Sequence, residues 1–273
     1  MPVKKEPSGR RSVEAEAEVP GTPDAVWNAI ATGPGISAWF VPTDVEGREG
    51  GTAVSHFGPG NSMDSVATIT VWEPPHRFVA ETTEGPGIIA TQWSVEARAG
   101  GTCVVRVVHS WFASTDDWDD QFEGHTTGWA AFFRILRLYL AHFAGQRCVA
   151  FQLMGVAAPP KSAVWGTLVR QLGLDNGRVG DRVRTATPPL VGVVERIADV
   201  AQPEEVLVRL DASPAPGLAH IMAHAMGDKV FLSVRFFFYG EQASAAAAPT
   251  EAVWQAWLAA QFPPIEEAAS SCP

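Results

Sequence analysis

The sequence predicts an α+β protein made of one unit built twice, each unit an antiparallel sheet packed against a long C-terminal helix. Three observations predict it. The tripeptide Ala-Val-Trp opens a helical stretch at Ala25–Trp27 and again at Ala163–Trp165. The segments that follow the two copies match in kind and in order, and in both halves alternating strand-like runs separated by short turns lead to a closing helix.

In the first unit, Val13, Ala15, Ala17 and Val19 alternate with Glu14, Glu16 and Glu18, the period of a half-buried strand over Ser12–Val19. Thr22 caps a helix with Pro23 at its first position, and Val26, Trp27 and Ile30 fall on one helical face. Gly33 to Gly35 break that helix before a short second one, ISAWF, and VEGREGGTAVSHF places a Gly-rich turn between two strands. The strands SVATITVW, RFVAETT, IIATQWSVEA and TCVVRVVHSWF follow, separated by the turns EPPH, EGPG and AGG. From Thr126 to Phe143, Trp129, Phe132, Phe133, Leu136, Leu140 and Phe143 repeat at three-and-four spacing and form the apolar stripe of a long helix.

The second half repeats this order. CVAFQLMGV stands for the first strand, APPKSAVWGTLVRQL for the turn and helix, and GRVGDRVR for the Gly-rich turn. VGVVERIADVAQPEEVLVRLD, GLAHIMAHAMG and KVFLSVRFFFY stand for the later strands, and PTEAVWQAWLAAQF closes the chain with Val253, Trp254, Trp257 and Leu258 on one face. The spacing contracts where ISAWF would lie, so the second unit lacks the short second helix. Two domains are expected at residues 12–146 and 147–262, with disordered tails at 1–11 and 263–273.

Lys and Arg number 20 against 30 Asp and Glu, a net charge of −10, which argues against nucleic acid or an anionic membrane as partner. Lys4, Lys5, Arg10 and Arg11 are a local basic cluster, read as a solvated tail. No apolar run reaches membrane-span length and no apolar segment follows the charged start, so a cytoplasmic protein is expected. Three widely spaced cysteines, Cys103, Cys148 and Cys272, suit neither a disulfide framework nor zinc, and fit a reducing compartment.

TQWSVEARAGGTCVVRVVHSWF resembles the paired final strands of the helix-grip (START-like, SRPBCC) superfamily, in the branch of the activator of heat-shock-protein ATPase homologues. AWF at Ala38–Phe40, GREGG at Gly47–Gly51, EPPHRFV at Glu73–Val79 and HTTGW at His125–Trp129 extend the resemblance over about residues 12 to 145. Several of these motifs are absent from the second half, so that copy is degenerate and is expected to act mainly in packing. The resemblance implies a curved sheet wrapped around the long helix, with an elongated apolar cavity between them. Its lining would come from Trp39, Phe40, Trp93, Trp111, Trp129, Phe132, Phe133 and Leu136, with His56, Arg106 and His109 as polar contacts.

Other constellations carry less. HIMAH at His220–His224 lacks the Glu of a zinc-protease motif and lies in a strand, where residues four apart are about 13 Å from each other, too far to share one ion. Asp116, Asp117, Asp119, Asp120 and Glu123 precede the long helix and read as its solvated acidic N-terminal face rather than a calcium loop. His125 lies at the same helix start, at the loop or a pocket mouth. No nucleophile elbow, phosphate loop or dinucleotide fingerprint is present, and no cofactor and no metal site are expected. The expected function is binding of a small hydrophobic or aromatic ligand. Two alternatives stand beside it: a polyketide aromatase/cyclase-like enzyme relying on Arg106, His56 and His109, and a co-chaperone-like protein binding a chaperone or another protein.

Overall fold

The computed structural model describes residues 3–57, 63–84, 87–113, 115–117, 119–197, 204–212 and 214–263. The chain divides into two compact units, Met1–Gln146 and Arg147–Pro273. Cys272 and all but Pro263 of the expected C-terminal tail lie outside the described residues.

In the first unit β1 (Lys4–Lys5) and β2 (Arg10–Pro20) lead to α1 (Pro23–Ala31) and α2 (Gly33–Ser37). Strands β3 (Thr43–Val45), β4 (Thr52–His56), β5 (Asp64–Glu73), β6 (Arg77–Glu84), β7 (Gly87–Arg98) and β8 (Thr102–Phe112) follow, and α3 (Asp119–His142) closes the unit. The strands form one antiparallel sheet in the order β1-β2-β8-β7-β6-β5-β4-β3. Its inner face is set by alternation: Cys103, Val105, Val107 and Trp111 of β8 are buried, as are Val13, Ala15 and Val19 of β2.

Thr22 caps α1 as expected, its Oγ1 accepting from the Ala25 N–H at 3.3 Å. Thr32 then caps α2 by accepting from Gly35 N at 3.1 Å. The short helix therefore starts at Gly33, inside the segment expected to break the chain, and ends before Trp39 and Phe40. Gly35 permits this, since a Cβ there would stand 1.9 Å from the Asn28 carbonyl oxygen. The long helix begins at Asp119, a full turn and more before the expected Thr126, so three residues of the acidic run, Asp119, Asp120 and Glu123, belong to the helix.

Residues 4–11 are no disordered tail. Lys4 pairs with Ser12 and Lys5 with Arg11 across β1 and β2, and the Arg11 side chain is buried on the inner face. Its Nη1 donates to Asp119 Oδ2 at 2.6 Å, its Nη2 to Asp116 Oδ1 at 2.7 Å and its Nε to the Ala113 carbonyl at 3.2 Å. Lys5 adds contacts of 2.9 Å to both carboxylates. The acidic face read as solvated is thus, at Asp116 and Asp119, the anchor of the N-terminal strands; the side chains of Asp120, Glu123 and His125 lie outside the described residues.

The second unit runs β9 (Cys148–Ala157), α4 (Lys161–Gln171), β10 (Arg182–Ala186), β11 (Pro189–Ile197), β12 (Glu205–Leu210), β13 (Gly217–Met226), β14 (Lys229–Tyr239) and α5 (Ala243–Gln261). Its sheet order, β10-β11-β12-β13-β14-β9, is the order β4-β5-β6-β7-β8-β2 of the first unit. Even an irregularity recurs: the β5–β6 register shifts between Ile69 and Val71, and the β11–β12 register between Val194 and Arg196. The chain passes directly from α4 to β10, with no second short helix. Trp254, Trp257 and Leu258 of α5 pack with Ile221, Leu232, Val234 and Phe236 in one apolar core, whereas Val253, expected on the same face, is 44% exposed. Both units are α+β, an antiparallel sheet against a C-terminal helix. Among the described residues no helix is long and apolar enough to cross a membrane.

Candidate functional site

Alternation on β7 and β8 and the stripe of α3 bring most of the expected aromatic residues together in the first unit. Trp39 is fully buried, and its indole N–H donates to the Ala29 carbonyl at 2.9 Å. The neighbouring Phe40 projects into the space under the sheet, where it stacks on Trp129 at 5.1 Å and meets Phe132 edge-on at 4.5 Å. Trp93 of β7 meets Trp129 edge-on at 5.0 Å and Phe133 at 6.2 Å, and lies parallel to Phe78 of β6.

Burial falls off across this cluster. Trp39, Phe133 and Leu136 are buried, and Ile135 beside them is fully so. Phe40, Trp129 and Phe132 keep partial solvent access, and Phe57, edge-on to Phe40 at 5.9 Å, is 44% exposed. Side chains directed to the inside of the sheet yet still reached by solvent describe an aromatic wall with an open end rather than a sealed core.

His109 supplies a polar group within that wall. Trp129 Nε1 donates to His109 Nε2 at 2.7 Å, and His109 Nδ1 lies 2.9 Å from Thr91 Oγ1. An indole nitrogen only donates, so Nε2 must accept, the imidazole is neutral and its proton sits on Nδ1, directed to Thr91. Thr91 and His109 are direct cross-strand partners of β7 and β8.

Three expected residues fall elsewhere. Arg106 lies between the inward Val105 and Val107 and therefore points to the opposite face, where it pairs with Glu16 at 2.7 Å. His56 is likewise on the outer face, because its neighbour Ser55 faces inward to the buried Thr43 at 3.4 Å. There His56 Nδ1 meets Asp64 Oδ1 at 2.8 Å and Nε2 meets Asp44 Oδ2 at 3.3 Å, contacts that raise its pKa, Asp64 more than Asp44. Trp111 is inward and buried, but in a separate small cluster with Val13 and Ile89.

Thr91, Phe57 and Phe78 join this cluster by contact with His109, Phe40 and Trp93 without having been expected there. The alternation of CVVRVVHSW was sufficient to send Arg106 outward and His109 inward. Thr91 needed the register as well, which only the paired strands provide.

The family described as polyketide cyclase / dehydrase and lipid transport matches residues 10–138. No curated protein matches the chain. Among solved structures, the di-domain ARO/CYC BexL from the BE-7585A biosynthetic pathway is 16% identical, covering 90% of this chain and 91% of its own, with a TM-score of 0.43. DynU16, from the dynemicin biosynthetic locus, is 15% identical over 90% of this chain and 97% of its own, with a TM-score of 0.41. The Aha1 dimer from Colwellia psychrerythraea is 20% identical over 47% of this chain and 95% of its own, with a TM-score of 0.39.

Proposed function

We propose, for a chain whose first unit belongs to the helix-grip (START-like) superfamily, that this unit binds a small hydrophobic or aromatic ligand between its sheet and α3. The observation that carries the reading is the partly exposed, inward-facing set Phe40, Trp129 and Phe132, continuous with the buried Trp93 and Phe133. Flat aromatic side chains at the open end of an apolar space offer stacking faces to a flat ligand at little entropic cost. The family description, which includes lipid transport as well as cyclases, supports carriage of an apolar small molecule.

The second unit is assigned no ligand. The helix-facing residues of its central strands, Val206, Val208, Ala219, Ile221, Leu232 and Val234 among them, are fully buried and apolar, a filled core. An enzymatic reading would rest on His109 alone, since Arg106 and His56 face away from the aromatic wall. A neutral imidazole among apolar groups is a competent proton acceptor once Trp129 releases Nε2.

Native mass spectrometry of the protein purified from its own host tests the assignment. A stoichiometric small molecule is expected, released on denaturation and lost from a folded variant carrying Trp129→Ala and Phe133→Ala. A co-purifying protein in place of any small molecule would transfer the assignment to an interaction module, the co-chaperone-like alternative included.

A further inference from the structure

Among the described residues, β1 and β3 are the edges of the first sheet and β10 and β9 those of the second. Three of these edges are blunted by short length or by charge, the usual protection of an exposed edge. β1 has two residues, both lysine, β3 has three, and β10 carries Arg182 and Arg184, the former paired with Asp211. β9 is different. It runs for ten residues, CVAFQLMGVA, with no charge and no proline, and no described strand pairs with it beyond β14.

The counterpart strand of the first unit shows the contrast. The eleven residues of β2 include Arg10, Arg11, Glu14, Glu16 and Glu18, and β1 pairs with part of that edge at Arg11 and Ser12. β9 has neither the charges nor the added strand. The apolar core of the second unit also stays partly open along it. Val149, Phe151 and Ala157 pack against that core yet keep partial solvent access, with Phe151 stacked on Phe236 at 5.2 Å. On the other face of the strand Gln152 is exposed and Met154 is 47% exposed.

We infer that β9 pairs antiparallel with β9 of a second copy of this chain, about a two-fold axis normal to the sheet, joining two six-stranded sheets into one. Such an axis keeps the helix-covered faces on one side. Centred on Gln152, it sets Phe151 opposite Leu153 of the second copy and Val149 opposite Gly155, so apolar residues meet at the margin of the core. The net charge of −10 does not oppose this contact, because none of it lies on β9. A second copy supplies an edge of the same length and the same lack of charge. The contact is isologous and closes at two copies, since the far edge, β10, stays charged.

Light scattering on the full chain under reducing conditions tests the inference over a concentration series, with a dimer mass expected at the upper end. Gln152→Lys with Met154→Lys changes two exposed positions and sets like charges opposite each other whether the axis passes through Gln152 or Leu153. It is expected to weaken the dimer about tenfold or more. Gln152→Glu with Met154→Glu should do the same, and an equimolar mixture of the two variants, each shown folded by circular dichroism, should recover the dimer mass. Amide exchange provides a measurement that needs no variant, because the β9 amides facing away from β14 should gain protection as concentration rises. A parent chain that stays monomeric overturns the inference, and protection of those amides in such a monomer would assign the edge to another segment of the same chain. A dimer indifferent to both double substitutions, or a mixture of the folded variants that stays monomeric, overturns it equally.

Discussion

The indole N–H of Trp129, on α3, donates to Nε2 of His109, on β8, at 2.7 Å. The bond ties the helix to the sheet at the open end of the aromatic wall and dictates the imidazole's tautomer, because an acceptor nitrogen carries no proton. Replacing Trp129 by Phe keeps an aromatic face and removes only the donor. Nitrogen-15 spectra of the imidazole are expected to show the Nδ1–H tautomer in the parent protein and a mixture of tautomers in Trp129→Phe. A protonated Nε2 in the parent protein at neutral pH would contradict the arrangement.

His56 faces carboxylates with both ring nitrogens, Asp64 at 2.8 Å and Asp44 at 3.3 Å. Ionised carboxylates only accept, so both nitrogens are satisfied together only in the imidazolium, and the hydrogen bonds to Asp64 and then Asp44 raise the pKa. A folded pKa above the unfolded value of about 6.5 stabilises the fold fully below that pH and ceases to do so as pH rises through the raised value. Melting temperature followed across that range is expected to fall with increasing pH in the parent protein and to lose this component in His56→Gln. An unchanged profile in the variant would remove the ion pairs as its source.

Much of this was legible from residue order. The duplication, the alternation that turns Val105 and Val107 inward, and the stripe of α3 all follow from local periodicity. Helix starts were read less well, for a physical reason in each case. The beginning of α3 at Asp119 depends on an ion pair with Arg11, 108 residues away in sequence, and α2 starts at Gly33 because Thr32 caps it and Gly35 fits against Asn28. The ion pair leaves no local pattern, whereas the Thr32 cap with Pro34 is local in the same way as Thr22 with Pro23, but the glycines on either side of Pro34 read as a break. The outward position of Arg106 was different, since the alternation already contained it and an aromatic neighbourhood outweighed it.

Arg11 and Lys5 share the same two carboxylates but differ in burial, with side-chain exposures of 8% and 48%. Removing a buried charge leaves its partner poorly solvated, whereas an exposed lysine is replaced by water at small cost. Arg11→Met is therefore expected to lower the urea midpoint more than Lys5→Met, and to speed amide exchange in β1 and the first turn of α3. Equal effects of the two substitutions would count against Arg11 as the anchor. Higher salt should weaken the Lys5 contribution more than that of Arg11, because screening acts chiefly on exposed pairs.

Two glycine substitutions of identical chemistry are expected to act with opposite signs. A Cβ at Gly35 would lie 1.9 Å from Asn28 O, 2.7 Å from Thr32 Oγ1 and 2.9 Å from Ala29 Cα, two of them backbone atoms that cannot swing aside. Gly35→Ala must push α2 away from α1, an overpacking that costs about 1–3 kcal/mol. The shift would carry Phe40, just beyond α2, off Trp129, so ligand affinity should weaken together with stability. Gly166, within α4, has nothing within 4 Å of its Cβ position. Gly166→Ala should stabilise the second unit by about 0.4–1 kcal/mol through the smaller conformational freedom of the unfolded chain, and should leave ligand affinity unchanged. Denaturant melts and titrations of the two variants side by side separate the explanations. If Gly166→Ala also weakened binding, a site confined to the first unit would be untenable, and if Gly35→Ala were neutral, the close contact of α1 and α2 would not be what positions Phe40.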